Sequence, residues 1–168
     1  PTGISVLEAS AGTGKTYTIA ALAARYVAQG TPLERLLLVT FTRMATGELR
    51  ERVRDRLVGV RAGLEHVLAG AEPPGSDPIV ALFAHEPEQH VRTRRDRLAR
   101  AIADFDAATI ATTHGFCLEA LSGLGIVGDV EHGCDVTEDA FDLLEDVVDD
   151  LYVRRFGPKD KAALTRRE

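Results

Sequence analysis

The chain has 168 residues, of which 45% are hydrophobic, with 20 Lys and Arg against 26 Asp and Glu, a formal net charge of -6 and no Trp. That length suits one domain, or one domain and the start of another, and is long enough to bury a real core. No run of about 18 apolar residues marks a membrane span, no basic stretch leads into an apolar run and cleavage site, and Cys117 and Cys134 have neither zinc spacing nor the density of a secreted scaffold.

A reducing cytoplasm is therefore the expected compartment, with each cysteine read as a buried thiol. The charge is unevenly placed. Residues 129–150 hold ten carboxylates and no Lys or Arg, so the remainder carries 20 basic and 16 acidic side chains, a net of +4. For a polyanionic partner such local placement matters more than the total, so the negative sum does not exclude nucleic acid.

In chain order, ISVLE at 4–8 reads as a short strand feeding the glycine loop EASAGTGKT at 8–16. The run KTYTIAALAARYVAQ, 15–29, is apolar almost all round, as in a helix packed against a sheet, and Gly30 and Pro32 stop it. LLLVTF, 36–41, reads as a parallel strand buried on both faces. Strand, helix and strand at this spacing make a βαβ unit.

A long helix is predicted next, with Leu49, Val53 and Leu57 on one face, Glu48 placed to pair with Arg52, and Gly47 costing about 1 kcal/mol within it. Residues 64–68 continue it, and AEPPGSDP, 71–78, is a turn-rich linker without a regular element. A further helix over 88–105 bears Arg92, Arg94, Arg95, Arg97 and Arg100, a run that reads as a solvated face. DAATIATTHGF, 106–116, is a third strand ending in a polar turn. After the glycine-bearing LSGLGIVGD at 121–129, a helix is expected from Thr137 to about Arg155, with Phe141, Leu144, Val148, Leu151 and Tyr152 as its apolar side.

The loop carries the first chemistry. Gly12-Thr13-Gly14-Lys15-Thr16 keeps the working end of a phosphate loop, although Ala9 stands where the strict pattern has glycine. Gly12 and Gly14 let backbone N–H groups turn toward phosphate, Lys15 brings an ammonium to the outer phosphates, and Thr16 offers a hydroxyl to magnesium. The helix that follows adds the unpaired N–H groups of its first turn.

Ligands of open α/β sheets bind beyond the carboxyl ends of the strands. Two such ends carry hydroxyls and an aromatic: Thr40, Phe41, Thr42 and Arg43, and Thr112, Thr113 and His114. They suit a single-stranded nucleic-acid track. They equally suit a plain structural reading, with Phe41 in the core, Thr42 capping a helix and His114 bonded within the fold.

Taken together, Glu8 to Ala20, LLLVTFTRMATGELRERVRDRL and ATIATTHGFC resemble three successive motifs of the superfamily 1, UvrD-like DNA helicases. More narrowly they are similar to the RecB family, the beta subunits of bacterial exodeoxyribonuclease V, in which alanine opens the loop as Ala9 does. Arg43, Met44 and Gly47 depart from the residues usual there. The resemblance implies a P-loop NTPase with a RecA-like parallel sheet flanked by helices, only the N-terminal part of the motor domain lying in 1–129. Residues 130–168 would then be an acidic helical segment that starts an inserted subdomain.

It also implies ATP and Mg2+ as cofactors, bound by Ala9, Ser10, Ala11, Gly12, Thr13, Gly14, Lys15 and Thr16, with Lys15 and Thr16 catalytic and Thr16 the magnesium ligand. Thr40, Phe41, Thr42, Arg43, Thr112, Thr113 and His114 would contact DNA. The implied activity is an ATP-dependent helicase and exonuclease subunit translocating on single-stranded DNA in double-strand break repair and recombination. Its partners would be single-stranded and duplex-end DNA and the gamma and alpha subunits of exodeoxyribonuclease V, with no membrane.

No apolar strand ending in Asp-Glu follows residue 118, and Glu145-Asp146 falls inside a predicted helix. The chain by itself is therefore expected to bind ATP weakly and hydrolyse little of it. An AddA-like or UvrD-like helicase fragment is the neighbouring alternative, and a non-catalytic nucleotide-binding module the alternative from another class.

Overall fold

The computed structural model describes residues 3–8, 14–73, 75, 77–123 and 141–156. The chain divides into two units, residues 1–124 and 125–168. The first holds α1 (Lys15–Gln29), β1 (Leu37–Thr40), α2 (Arg43–Leu68), α3 (Pro78–Ala84), α4 (Glu88–Ala103), β2 (Thr109–Thr112) and α5 (Thr113–Gly123). β1 and β2 pair in parallel, with Leu37 opposite Thr109 and Thr40 opposite Thr112. The crossover between them consists of α2, α3 and α4.

The core is built between helices. Ala20, Ala23, Ala24, Val27 and Ala28 of α1 are buried, and such small side chains let α1 lie close to α2 and α4. Leu49, Val53, Leu57, Val60 and Leu64 of α2 recur every three or four residues and meet Val80 and Phe83 of α3 and Val91 and Leu98 of α4 in one apolar cluster. Gly63 is also buried on this face because a Cβ there would lie 2.5 Å from Cγ2 of Val80. α2 and α3 cross where only glycine leaves room.

Polar side chains lock the helix ends. Asp77 accepts the N–H groups of Ile79 and Val80 at the start of α3, at 2.9 and 3.2 Å, and also takes Arg56 of α2 in a bidentate pair at 2.6 and 2.8 Å. Both side chains are largely buried, at 13% and 16% exposure for Arg56 and Asp77. Burial pushes the Asp77 carboxyl upward, but the hydrogen bonds from Arg56, Val80 and Ile79, with the Arg56 charge, outweigh it and hold the group below its ordinary value.

The arginine run of α4 is not one solvated face. Arg94 donates to both oxygens of Glu86 at 2.8 and 2.7 Å and stands 4.3 Å from the centre of the Phe83 ring. Arg94 and Arg97 also donate to the carbonyl of Ala28, at 3.4 and 3.2 Å. They thereby place positive charge on the C-terminal end of α1, where the helix dipole and unpaired carbonyls favour it. Arg92 and Arg100 are exposed as expected, Arg92 pairing with Glu88 one turn away.

Several expectations need correction. Residues 3–8 form no strand, and Ile4, Val6 and Leu7 are exposed; a strand needs a hydrogen-bonded neighbour, and the described sheet is two-stranded. β1 is not buried on both faces, since Leu37 and Val39 are open where Leu38 turns inward toward the core. The third strand is only Thr109–Thr112, preceded by a 3₁₀ turn at Phe105–Ala107 and followed directly by α5. The linker ends at Asp77, and the helix α3 was not anticipated: its signal is Asp77 as N-cap with Pro78 at the first helical position. Cys117 is an exposed thiol, while Cys134 lies outside the described residues.

In the second unit α6 spans Phe141–Phe156. Its predicted start at Thr137 lies outside the described residues. Tyr152 and Phe156, one turn apart, bring their rings to 5.2 Å.

Candidate nucleotide and nucleic-acid site

Gly14, Lys15 and Thr16 are described; Ala9, Ser10, Ala11, Gly12 and Thr13 lie outside the described residues. Gly14 caps α1 with φ at 84°, in the left-handed region that an L side chain resists. Its carbonyl accepts the first helical bond, from the Thr18 N–H at 2.9 Å. Gly14 offers no side-chain cap, and the first turn carries no carboxylate. A helix opening in this way presents N–H donors and the positive end of its dipole to an anion.

A cleft of about 570 Å³ lies against this turn, lined by Gly14, Lys15, Thr16 and Tyr17 from α1 and by Glu48, Arg52, Asp55 and Arg56 from α2. Arg56 has a double role here. It is tied to Asp77 and stands 5.4 Å from the centre of the Tyr17 ring, so the buried ion pair holds the wall of the cleft beside the first turn of α1. Glu48 and Arg52 approach to 3.9 Å as expected from their spacing.

This donor set fits a nucleotide phosphate: an uncapped helix start, Lys15 and Arg52, with Arg56 holding the wall beside them. For magnesium the chain offers the Thr16 hydroxyl, and the described residues contain no group of three or more His, Cys, Asp or Glu side chains able to hold a metal by themselves. Magnesium commonly binds through few protein ligands plus phosphates and water, so it would arrive with the nucleotide.

The strand ends are clearer. Because β1 and β2 run parallel with Thr40 opposite Thr112, the loops Thr40–Arg43 and Thr112–His114 leave the sheet side by side at the same edge. Phe41 is 94% exposed, so it is not core, and Met44 and His114 are exposed beside the same edge. The threonines mostly organise backbone. Thr42 accepts the Ala45 N–H at 3.1 Å as N-cap of α2, while the Thr40 and Thr46 hydroxyls lie 2.6 Å apart and 3.1 and 3.0 Å from the Thr42 carbonyl, so that one donates to the other and the other to that carbonyl. Thr112 likewise accepts the Gly115 N–H at 3.0 Å at the start of α5. Capping and ligand contact do not exclude one another, because a capping hydroxyl retains a lone pair or proton.

Sequence reasoning passed over Tyr17, Asp55, Arg56 and Asp77 as parts of this region. The signal for Asp77 was its place before Pro78, while nothing local in the sequence announces that Arg56 meets it from 21 residues away.

A parallel pair with a helical crossover, joined to a helix that opens at Gly14-Lys15-Thr16, defines an α/β P-loop nucleotide-binding module. The family model for the UvrD/REP helicase N-terminal domain matches residues 1–154, and the chain belongs to that family. It is 44% identical over 158 residues to the RecBCD enzyme subunit RecB of Mycolicibacterium smegmatis, covering 94% of this chain and 14% of that protein. It is 43% identical over 157 residues to the RecBCD enzyme subunit RecB of Mycobacterium tuberculosis strain H37Rv, covering 93% of this chain and 14% of the relative. Against RecB of Escherichia coli K12 the identity is 36% over 129 residues, or 71% of this chain and 10% of the relative. The chain thus spans about one seventh of the length of the mycobacterial relatives it matches.

Proposed function

We propose that this chain is the ATP-binding N-terminal part of the motor of a RecB-like helicase and exonuclease subunit that translocates on single-stranded DNA, acting in double-strand break repair and recombination. The observation that carries it is the register of Thr40 against Thr112, which sets both candidate DNA loops at one edge of the sheet with Phe41 exposed between solvent and strand. Similarity to RecB subunits over nearly the whole chain favours this over an AddA-like or UvrD-like protein. Single-stranded and duplex-end DNA, the other two subunits of such an enzyme, and a cytoplasmic setting belong to the same proposal.

In this reading ATP supplies the free energy of translocation. Lys15 and the N–H groups at the start of α1 hold its phosphates, Thr16 orients a magnesium ion, and Arg56 keeps the cleft wall in place. Phe41 supports a base, while Thr42, Arg43, Thr113 and His114 meet the backbone. With 1–129 as the N-terminal part of the motor domain and 130–168 as the start of an inserted subdomain, the isolated chain binds ATP weakly and turns over little. The test is DNA-stimulated ATP hydrolysis by the full-length protein. Lys15→Ala is expected to abolish the stimulated turnover, and a variant that retains wild-type turnover would overturn the assignment.

A further inference from the structure

α2 carries a line of cations that the nucleotide cleft does not use. Arg43, Arg50, Arg54 and Arg61 recur at spacings of seven, four and seven residues, which places them within about 20° of one line along the helix and about 10, 6 and 10 Å apart. Glu48, Glu51 and Asp55 stand about 80° to 140° round the same helix, so the line is segregated from them. It starts at the Thr40 and Thr112 edge and runs back beside the sheet, because α2 follows β1 and the residues just before β2 lie under its middle.

At that middle point the geometry is specific. The guanidinium carbons of Arg50 and Arg54 sit 5.4 and 5.6 Å from the centre of one buried ring, Phe105. Both guanidiniums therefore lie within cation–π range of the same ring. Asp106, fully exposed, reaches Arg50 at 3.4 Å. Arg54 is exposed and has no carboxylate partner among the described residues. Arg61 pairs with Glu65 at 3.6 Å, so the uncompensated charge centres on Arg54. A ring that holds two planar guanidiniums in place removes much of the ordering cost of binding a phosphate diester.

We propose that Arg50 and Arg54, stacked on Phe105, bind backbone phosphates of the DNA strand whose bases pass Phe41, extending the track along α2. This rests on the function proposed above. The experiment is equilibrium binding of a 20-nucleotide single strand to the full-length protein across a salt series. Each phosphate contact contributes about 0.7 to the slope of log K against log salt for single strands. Arg54→Met, which keeps the ring covered while removing the charge, is expected to lower the slope by about 0.7, and Arg50→Met with Arg54→Met by about 1.4. Arg54→Lys should hold the wild-type slope, as should Arg92→Gln on α4. If the wild type binds DNA and the double Met variant keeps its slope, the two arginines merely cover Phe105 and the proposal fails while the proposed function stands. If the wild type shows no salt-dependent DNA binding, both fail.

Discussion

Removal of the Asp77 carboxylate, as in Asp77→Ala, tests the reasoning about the cleft wall at its most buried point. The substitution deletes the N-cap of α3, worth about 1 kcal/mol, and strands Arg56, whose Nε already lacks a hydrogen-bond partner. Breaking a buried pair from one side costs about 3 to 5 kcal/mol, and the residual 13% and 16% exposure of the partners places this pair at the lower end. A local loss of about 3 kcal/mol is therefore expected, which is about a hundredfold in an opening equilibrium.

Native-state hydrogen exchange reads that quantity where it arises, without requiring a multidomain protein to unfold in one step. Amides of α3 and of the Arg56 turn of α2 should lose about a hundredfold in protection, while those at the C-terminal end of α1 change little. Adding Arg56→Met should recover part of the loss, because an apolar side chain does not need the missing carboxylate. If Asp77→Ala left α3 protection within threefold of wild type, the ion pair would be a bystander and the argument that it supports the cleft would be wrong. The pH dependence has a definite sign. The folded Asp77 pKa lies below the ordinary value of 3.8, so its stabilisation is fully present above that value and is lost as pH falls through the lowered folded pKa. A urea midpoint that is flat from pH 7 to 5 and declines below about pH 4, with the Asp77-dependent part of the decline absent in Asp77→Ala, is the expected profile.

Other outcomes follow from single contacts. Gly63→Ala drives a methyl to 2.5 Å from Val80, an overpacking worth about 1 to 3 kcal/mol, and Val80→Ala in the same chain should relieve part of it in a denaturation assay. Phe41→Ala should leave stability unchanged, because the ring is 94% exposed, yet weaken single-strand binding by about 1 to 3 kcal/mol if a base stacks there. Arg94→Ala removes the Glu86 pair, the Phe83 contact and a carbonyl partner of α1 together; a melting-temperature fall of several degrees, equivalent to about 2 kcal/mol, is expected.

Much of the candidate site was legible because its signals are local. Gly14-Lys15-Thr16 at a helix start, the run Leu36 to Phe41 leading into the Leu49, Val53 and Leu57 face, and Thr112 ahead of His114 each depend on neighbours a few residues apart. The α2 and α4 helices appear where their periodicity puts them, at Arg43–Leu68 and Glu88–Ala103. Local pattern failed where a partner decides the outcome. Residues 4–8 have strand composition but no paired neighbour among the described residues, and the six-residue apolar run holding β1 looks doubly buried while one of its faces is uncovered. Composition reports what a segment is able to bury, whereas burial depends on what arrives to cover it.

The charged side chains show the same division. The arginine run reads as one solvated face when Arg92, Arg94 and Arg97 are taken together; packing turned two of them onto the carbonyl end of α1 and left the third in water. Family membership, the phosphate loop and the two strand-end motifs are carried by short contiguous stretches and need no coordinates. The adjacency of Thr40 to Thr112, the Arg56 bridge between Tyr17 and Asp77, and the stacking of Arg50 and Arg54 on Phe105 join residues 21 to 72 positions apart. Such long-range pairings come from chain topology and core packing, which no local periodicity encodes.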